Sequence, residues 1–322
     1  MSLQIQEQIL LDLLFDQDLR DEYCRLGCRA LEIYGLSKSE LADFNALRVD
    51  ALKLEAQMRQ DLVLGQISKH LPLSIALLSS FDNGLALAKD TIKPYLMSFS
   101  GYERSGIFAQ QLLAKLDDLA FFNANDKELL DSILALERTL CMQCVRIDAN
   151  RAPNIEAVTD VQDSVKGSDF NHQQALIWHS QVQLSLLPLS YWQLKQELLD
   201  AAIRQRGLQH LWQYLQQEPV LIEQRVSLIS AINPDSYRVL LSKPVARHAS
   251  LSDPEIDLEL LEFISAFAPL FNSINGEHAL LDIINKLKQQ SGFEQANETI
   301  IENIIKGFEQ LFSKQFLLLF KQ

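Results

Sequence analysis

The sequence predicts a mainly α-helical protein, with an N-terminal helical bundle followed by a smaller C-terminal α+β module that contains a β-hairpin. Apolar residues recur at helical spacing from residue 3 to about residue 147, with turn sequences between the runs. Further along, 220–232 is rich in β-branched and aliphatic residues and precedes a turn at 233–236. Three more helical patterns follow this expected hairpin, so strands and helices combine in the C-terminal part.

Residues 1–147 are expected to form the helical bundle domain. Its second helix, over 17–34, is followed by Gly35, a typical C-terminal cap. Ser37 and Glu40 have the spacing of a capping box, and a long helix is expected to run from there to His70, where Pro72 stops it. Further helices are expected at 72–80, 85–99, 105–118 and 126–147, and the short connections favour a bundle.

Residues 148–217 are interpreted as a linker, a short strand and a connecting helix. Apolar residues are sparse between 148 and 172, which is typical of a linker or a functional loop. Residues 182–186 alternate between apolar and polar side chains, as a strand does, and a helix is expected from Tyr191 to about Tyr214.

Residues 218–322 are expected to form the C-terminal module, which begins with the hairpin. The turn with Pro234 would join strands at 220–232 and 237–241, because proline presets the backbone angle that such a turn requires. Helices are expected next, since apolar residues recur at helical spacing and Asp253 is a good N-cap. The three helices and a final strand are expected at 253–268, 277–292, 298–311 and 316–320. Together these elements predict a winged-helix-like module.

The overall composition favours a soluble, cytoplasmic protein. The 322 residues are 48% hydrophobic, which is enough for a core in each of two domains. They contain no run of about 18 uncharged apolar residues that would span a membrane, and the first residues lack the pattern of a signal peptide. The formal net charge of −13 disfavours general binding to nucleic acid, which requires clustered Lys and Arg.

The four cysteines occur as two close pairs within expected helices, Cys24/Cys28 and Cys141/Cys144. One interpretation is a four-thiolate site for a metal or an iron–sulfur cluster. The favoured interpretation is small buried side chains in a reducing compartment, because metal sites usually take closely spaced cysteines from loops.

The chain lacks the motifs of common active sites, including HExxH, GxGxxG, the P-loop and GxSxG. Among its six histidines, His172 and His179 come closest to a ligand pair, with Asp169 nearby. Residues two helical turns apart are too distant to chelate one metal alone, so ordinary histidines are the favoured interpretation. The sequence therefore predicts no catalytic residue, no metal, no cofactor and a protein that is not an enzyme.

The charge pattern of the C-terminal module favours a peptide over DNA. Residues 202–250 contain six basic and three acidic groups, whereas 251–322 contain five Lys and eleven Asp or Glu. The third expected helix has Glu298, Glu302 and Glu309 where a DNA-reading helix needs basic or amide side chains. An open strand edge can instead accept an extended peptide as an extra strand.

The expected hairpin is the candidate peptide-binding site. Its apolar residues would build the two strands, and its local positive charge would favour an acidic peptide held by Arg225, Arg238 or Lys243. Which of the two strands lies at the edge stays open. The expected binding residues are Arg225, Val226, Leu228, Tyr237, Arg238, Val239, Leu241 and Lys243.

Five short segments carry a resemblance to known proteins: Leu14–Arg20, Tyr34–Ser37, His70–Leu73, Leu136–Arg138 and Val182–Pro188. With them, the N-terminal half is similar to the helical partner proteins of multinuclear non-haem iron oxidases. The hairpin followed by three helices, with Gly276 before the middle helix, resembles the PqqD-like peptide-recognition elements of ribosomal-peptide (RiPP) modification systems.

This resemblance implies a partner protein that is not itself the catalyst. Such partners hold the leader of a precursor peptide and dock it onto a separate iron-dependent oxidase subunit, which makes the encounter with the active site intramolecular. The resulting hypothesis is a leader-binding subunit of a heterodimer that binds by β-strand addition. A winged-helix transcriptional regulator, an enzyme that uses the cysteines or the histidine pair, and a helical scaffold are the alternatives.

Overall fold

The structure is a computed structural model of the chain, and it describes residues 2–116, 123–150, 175–246, 256–288 and 298–319. Within these ranges the protein is mainly helical and has a small antiparallel sheet, which confirms the predicted fold class at that level. The chain divides into two compact units, each built from two segments. The first combines 1–142 with 192–231, and the second combines 143–191 with 232–322.

The first unit is helical in its described part. Short 3-10 segments join or extend its helices at Gly27–Tyr34, Pro94–Ser98 and Leu208–His210. The α-helices are α1 (Ser2–Phe15), α2 (Gln17–Leu26), α3 (Lys38–Phe44), α4 (Val49–His70), α5 (Pro72–Ser79), α6 (Gly84–Thr91), α7 (Gly101–Leu116), α8 (Ala124–Asn150, which ends in the second unit), α9 (Tyr191–Gln205), α10 (Leu211–Gln217) and α11 (Ile222–Ser230).

Local signals in the sequence mark several of these helix ends, as predicted. Gly35 ends a 3-10 segment with φ at 68°, in the left-handed region that glycine adopts without steric cost. Ser37 and Glu40 form the capping box of α3 through reciprocal bonds between side chain and backbone. Pro72 occupies the first turn of α5, and α4 ends before it at His70.

The structure breaks four helices that the sequence predicts as continuous, at 17–34, 37–70, 85–99 and 191–214. In 85–99, α6 ends at Thr91, the backbone of Ile92 is extended, and a 3-10 segment begins at Pro94. Gly27 and Gly207 cause two of the breaks, because their φ angles of 60° and 71° do not fit an α-helix. The break in 37–70 separates α3 from α4, where the backbone of Arg48 is extended.

Apolar side chains from α1 to α4 form one core of the first unit. Ile9, Leu13, Tyr23, Leu31 and Phe44 are buried together there. Helix α5 differs from these amphipathic helices because every residue after Pro72 is buried. Its sequence is correspondingly apolar around its whole circumference, interrupted by two serines.

In its described part, the second unit contains the strands, the end of α8 and three further α-helices. Strands β1 (Leu176–Trp178) and β5 (Leu317–Leu319) form an antiparallel pair. A separate antiparallel sheet has the order β2-β3-β4. Its strands are β2 (Gln183–Leu187), β3 (Arg238–Ala246) and β4 (Ile256–Ile264), and the helices that follow are α12 (Ala268–Asn272), α13 (Leu280–Lys288) and α14 (Glu298–Ser313).

One face of the three-stranded sheet packs on these helices. Val239 and Leu241 from the central strand β3 are fully buried in the same cluster as Phe271 and Phe308. The sequence predicts β2, α13, α14 and β5, and the structure confirms these four elements in their described parts.

The expected hairpin is wrong in its first strand and therefore in its pairing, whereas the strand expected at 237–241 is confirmed as part of β3. The segment 220–232, predicted as a strand, forms helix α11, and β3 pairs instead with β4. The helix expected at 253–268 is replaced by β4 over most of its length, and its N-cap Asp253 lies outside the described residues. The alternation of Ile256, Leu258 and Leu260 with acidic residues is a strand signal that the helical interpretation overlooked.

The division into units also differs from the predicted domains, 1–147, 148–217 and 218–322. Helices α9, α10 and α11 belong to the first unit, although they lie in the predicted linker region and C-terminal module. Strand β2, from the predicted linker region, belongs to the sheet of the second unit.

No helix within the described ranges is both long and apolar enough to cross a membrane by itself. Helices α4 and α5 meet that criterion only when taken together, and the chain bends by 118° between them.

Candidate functional site

The backbone pairing of β3 and β4 determines which groups point away from the sheet. Ser265 N donates to Tyr237 O at 3.1 Å, so these two residues form a hydrogen-bonded pair. They lie next to the paired residues Arg238 and Ile264, which are therefore a non-hydrogen-bonded pair. Because hydrogen-bonded and non-hydrogen-bonded pairs alternate along an antiparallel ladder, every second residue of β4 directs its N–H and C=O outwards. These residues, which we call the β4 edge, are Leu258, Leu260, Glu262 and Ile264.

The same alternation defines the opposite edge of the sheet. Residues of β3 that face away from β4, such as Leu240, bond to β2, where Ser185 is the partner. Leu184 and Leu186 therefore direct their backbone groups away from the sheet, and we call them the β2 edge. Within the described residues, the outward backbone groups of both edges have no hydrogen-bond partner.

Aromatic residues and helix α14 lie beside β4. The Phe263 ring is partly buried and packs on Phe267 and Phe271, at 5.3 and 5.2 Å between ring centroids. A Cβ atom added to Gly307 of α14 would lie 3.5 Å from the Phe263 ring, so the helix passes close to this strand. A peptide added at the β4 edge would therefore meet apolar surface as well as free backbone groups.

Two acidic side chains of β4 form ion pairs with basic residues of the same unit. Lys314 Nζ lies 2.8 Å from Glu259 Oε1, and Arg238 Nε lies 3.9 Å from Glu262 Oε1. Glu262 also accepts a hydrogen bond from Tyr191 N at 2.7 Å. Since β4 contributes acidic residues opposite the basic residues of β3, the hairpin has no surplus of positive charge.

The structure does not join the predicted binding residues into one ribbon. Arg225, Val226 and Leu228 lie on α11 in the first unit, whereas the other five lie at or next to β3 in the second unit. Strand β3 is central, with β2 on one side over 238–242 and β4 on the other. A guest strand cannot add there, so the expected binding edge is wrong in its location.

The three cations expected to hold an acidic peptide are bound by the chain itself. Arg225 donates to Ser80 O at 3.0 Å, and Arg238 donates to Asp235 O at 2.8 Å. Lys243 donates to Lys314 O at 2.6 Å and is only 6% exposed; burial lowers the pKa of its amine. These contacts remove the basis for expecting an acidic peptide.

Three of the apolar residues in the predicted binding site are buried inside the protein. Val239 and Leu241 are fully buried in the core of the second unit, and Leu228 is 2% exposed on α11. Val226 is exposed on α11, and Tyr237 is partly buried just before β3.

The cysteines do not form a metal site within the described ranges. Cys141 and Cys144 are buried in α8, and Cys24 and Cys28 are partly buried. Cys28 Sγ lies 2.8 Å from Asn45 Oδ1, and burial raises the pKa of this thiol. No group of three or more His, Cys, Asp or Glu residues in the described part of the chain could hold a metal ion.

A serine–histidine contact in the first unit is partly buried. His70 Nδ1 lies 2.9 Å from Ser105 Oγ, and burial lowers the pKa of His70. Ser105 is 1% exposed and also donates to Gly101 O, so this pair supports the start of α7. Of the predicted histidine pair, His172 lies outside the described residues, and His179 accepts a bond from Gln181 N.

Comparisons of the chain with protein-family models, curated proteins and solved structures gave no match. The site is therefore defined by sequence and geometry alone. Sequence reasoning missed the β4 edge, although the period-two alternation from Ile256 to Leu260 could have identified the strand.

Proposed function

We propose that this chain is a non-catalytic recognition subunit that binds an extended peptide by strand addition at the β4 edge. The observation that carries this proposal is the row of outward backbone groups on β4 without partners in the described residues. Strand addition satisfies such groups, while pockets beside the strand select alternate side chains of the guest.

The order of elements supports a winged-helix-like module of the PqqD-like kind. Strands β3 and β4 form a hairpin, and α12, α13, α14 and β5 follow it in sequence. This is the hairpin with three helices and a final strand that carries the resemblance, although different residues build the hairpin. The proposed guest is accordingly the leader of a precursor peptide.

The proposed second partner is a separate iron-dependent oxidase, which the helical unit would contact in a cytoplasmic heterodimer. This chain would then act by tethering, because a bound leader raises the effective concentration of the attached core at the oxidase. Neither nucleic acid nor a membrane is a proposed partner, since the polar side of α14 carries Glu302 and Glu309 in exposed positions.

The β4 edge favours a guest with alternating apolar residues and no net negative charge. On the core face, the guest would lie beside Leu261 and Phe263, which are apolar. On the other face it would lie beside Leu260 and Glu262, and a carboxylate there disfavours acidic guests. This differs from the acidic peptide expected from sequence.

Replacing Leu260 with proline is expected to weaken leader binding at least about tenfold, because it removes an outward N–H in the middle of the edge. The backbone bonds between β3 and β4 should survive, since proline is tolerated where the missing donor faces outwards. Binding is measured by fluorescence anisotropy with a labelled leader from a precursor encoded beside an iron-oxidase gene.

The matched control is Leu184→Pro, the same substitution at an outward position of the opposite edge. It should leave leader affinity unchanged, and circular dichroism should show folded protein for both variants. If folded Leu260→Pro bound the leader as tightly as the wild type, or if Leu184→Pro alone lost binding, strand addition at β4 would be rejected.

A further inference from the structure

The β2 edge leaves part of the sheet's core face uncovered. Leu184 and Leu186 are 43% and 53% exposed, although their cross-strand partners Leu241 and Val239 are completely buried. Directly opposite residues in an antiparallel pair project to the same face. The apolar face that packs on helices at β3 therefore continues to β2 without equivalent cover.

The composition of β2 is unusual for a strand at a sheet edge. Natural edge strands are commonly protected from pairing by charged residues or prolines. Strand β4 contains Asp257, Glu259 and Glu262, which disfavour pairing with a second copy of this acidic chain, whereas β2 contains no charged residue and no proline. In a chain with a formal net charge of −13, β2 is an edge where another copy can approach without bringing like charges together.

We propose that β2 pairs with β2 of a second copy of this chain, antiparallel about a two-fold axis at Ser185. In this register Leu184 faces Leu186 of the partner subunit, and Leu186 faces Leu184 of the partner subunit. Both are residues whose N–H and C=O point outwards, so the two strands form about four backbone hydrogen bonds.

The side chains of β2 are also compatible with this pairing register. A two-fold axis perpendicular to the sheet keeps the core faces of both copies on one side, so the exposed leucines of the two strands meet. Ser185 lies on the axis beside Ser185 of the partner subunit, where two hydroxyl groups can share a hydrogen bond. The Leu-Ser-Leu order reads the same in both directions from Ser185, which is what a self-complementary contact requires.

The resulting sheet is continuous across the two copies, with β2 strands at its centre and β4 at each outer margin. Both β4 edges stay open, so the dimer and the proposed peptide site do not compete. The dimer does not rest on the proposed function. Because the contact is small and the chains repel through their net charge, we expect self-association at about 1–100 µM that strengthens with salt.

Sedimentation equilibrium of the full chain tests this arrangement. The wild type should form dimers at protein concentrations of about 1–100 µM. Leu184→Pro, which removes an outward N–H, should weaken dimerisation at least about tenfold. Leu186→Lys provides a second variant that keeps the backbone donors but places two buried charges in the contact. Leu260→Pro is the matched control and should dimerise like the wild type.

A wild type that stays monomeric throughout the range would overturn the dimer, as would a folded Leu186→Lys variant that dimerises normally. Equal loss in Leu184→Pro and Leu260→Pro would also reject β2 as the contact. The leader-binding measurement distinguishes the two sites, because Leu184→Pro should lose dimerisation and keep leader binding, while Leu260→Pro should show the reverse.

Discussion

Replacing Glu137 with alanine is expected to destabilise the protein by about 4 kcal/mol. Glu137 lies on α8 and is 3% exposed. Its Oε1 accepts from Leu73 N at 2.8 Å, and its Oε2 accepts from Ser74 N at 3.0 Å and from Ser74 Oγ at 2.6 Å. Alanine would leave these three buried donors without an acceptor and create a cavity.

The buried position of α5 explains why a carboxyl group that accepts hydrogen bonds is needed there. The first turn of any α-helix has N–H groups without partners inside the helix, and water cannot reach them at α5. Pro72 has no N–H, Glu137 accepts from the next two residues, and Ile75 N donates to Leu71 O at 3.1 Å. Glu137 thus completes the hydrogen bonding of this helix start from a distant part of the sequence.

Urea denaturation, monitored by circular dichroism, measures the loss of stability in Glu137→Ala. Glu22→Ala is the control, because Glu22 is an exposed residue in the middle of α2, and its replacement should change stability by less than about 0.5 kcal/mol. A Glu137→Ala variant as stable as this control would show that the capping contacts contribute little.

The stability contributed by Glu137 is also expected to depend on pH. Burial raises the pKa of its carboxyl group from 4.5 to about 7. As pH rises, the Glu137 carboxyl group therefore loses its proton in the unfolded chain at a lower pH than in the folded protein. The contribution of Glu137 to the free energy of unfolding is consequently largest below pH 4.5. Relative to Glu137→Gln, the free energy of unfolding of the wild type should fall by on the order of 3 kcal/mol as pH rises from about 4.5 through about 7.

Parallel denaturation curves of the wild type and Glu137→Gln at several pH values isolate this contribution, because other titrating groups cancel in the difference. A difference that is constant with pH, or that increases as pH rises, would contradict the raised pKa.

Local chemistry made much of the first unit predictable from sequence. The capping box at Ser37 and the cap at Gly35 involve neighbours within four residues, so their signals are complete in a short window. The partners of Glu137 are more than sixty residues away, and no local pattern identifies them. Sequence reasoning consequently located helix ends better than it located buried polar contacts.

The binding site predicted from sequence was wrong for a related reason. Segment 220–232 is aliphatic enough for either a strand or a helix, and tertiary contacts of α11 decide between them. Segment 182–186 was recognisable as a strand, but its place at the edge depends on pairing with β3, more than fifty residues later. Strand order is non-local, so the open edges of the sheet could be assigned only from the structure.

Replacing Arg225 with alanine is expected to destabilise the protein by about 3 kcal/mol, for reasons that also explain why its segment is helical. Its guanidinium lies 4.0 Å from the Phe81 ring centroid and donates to Ser80 O at 3.0 Å. Its Nε lies 3.5 Å from Asp126 Oδ1, and both side chains are largely buried. Without Arg225, Asp126 would remain as a buried carboxylate without its cation, which costs more than the lost contacts alone.

A double-mutant cycle with Asp126→Asn measures this coupling. In the Arg225→Ala background the neutral asparagine should be less destabilising than in the wild type, with a coupling free energy of at least about 1 kcal/mol. Val226→Ala is the control on the same helix, because that side chain is 55% exposed and its loss should be nearly neutral. An Arg225→Ala variant as stable as this control would mean that the guanidinium does not hold α11 in the first unit. In that case the buried ion pair could not be the reason that 220–232 is a helix.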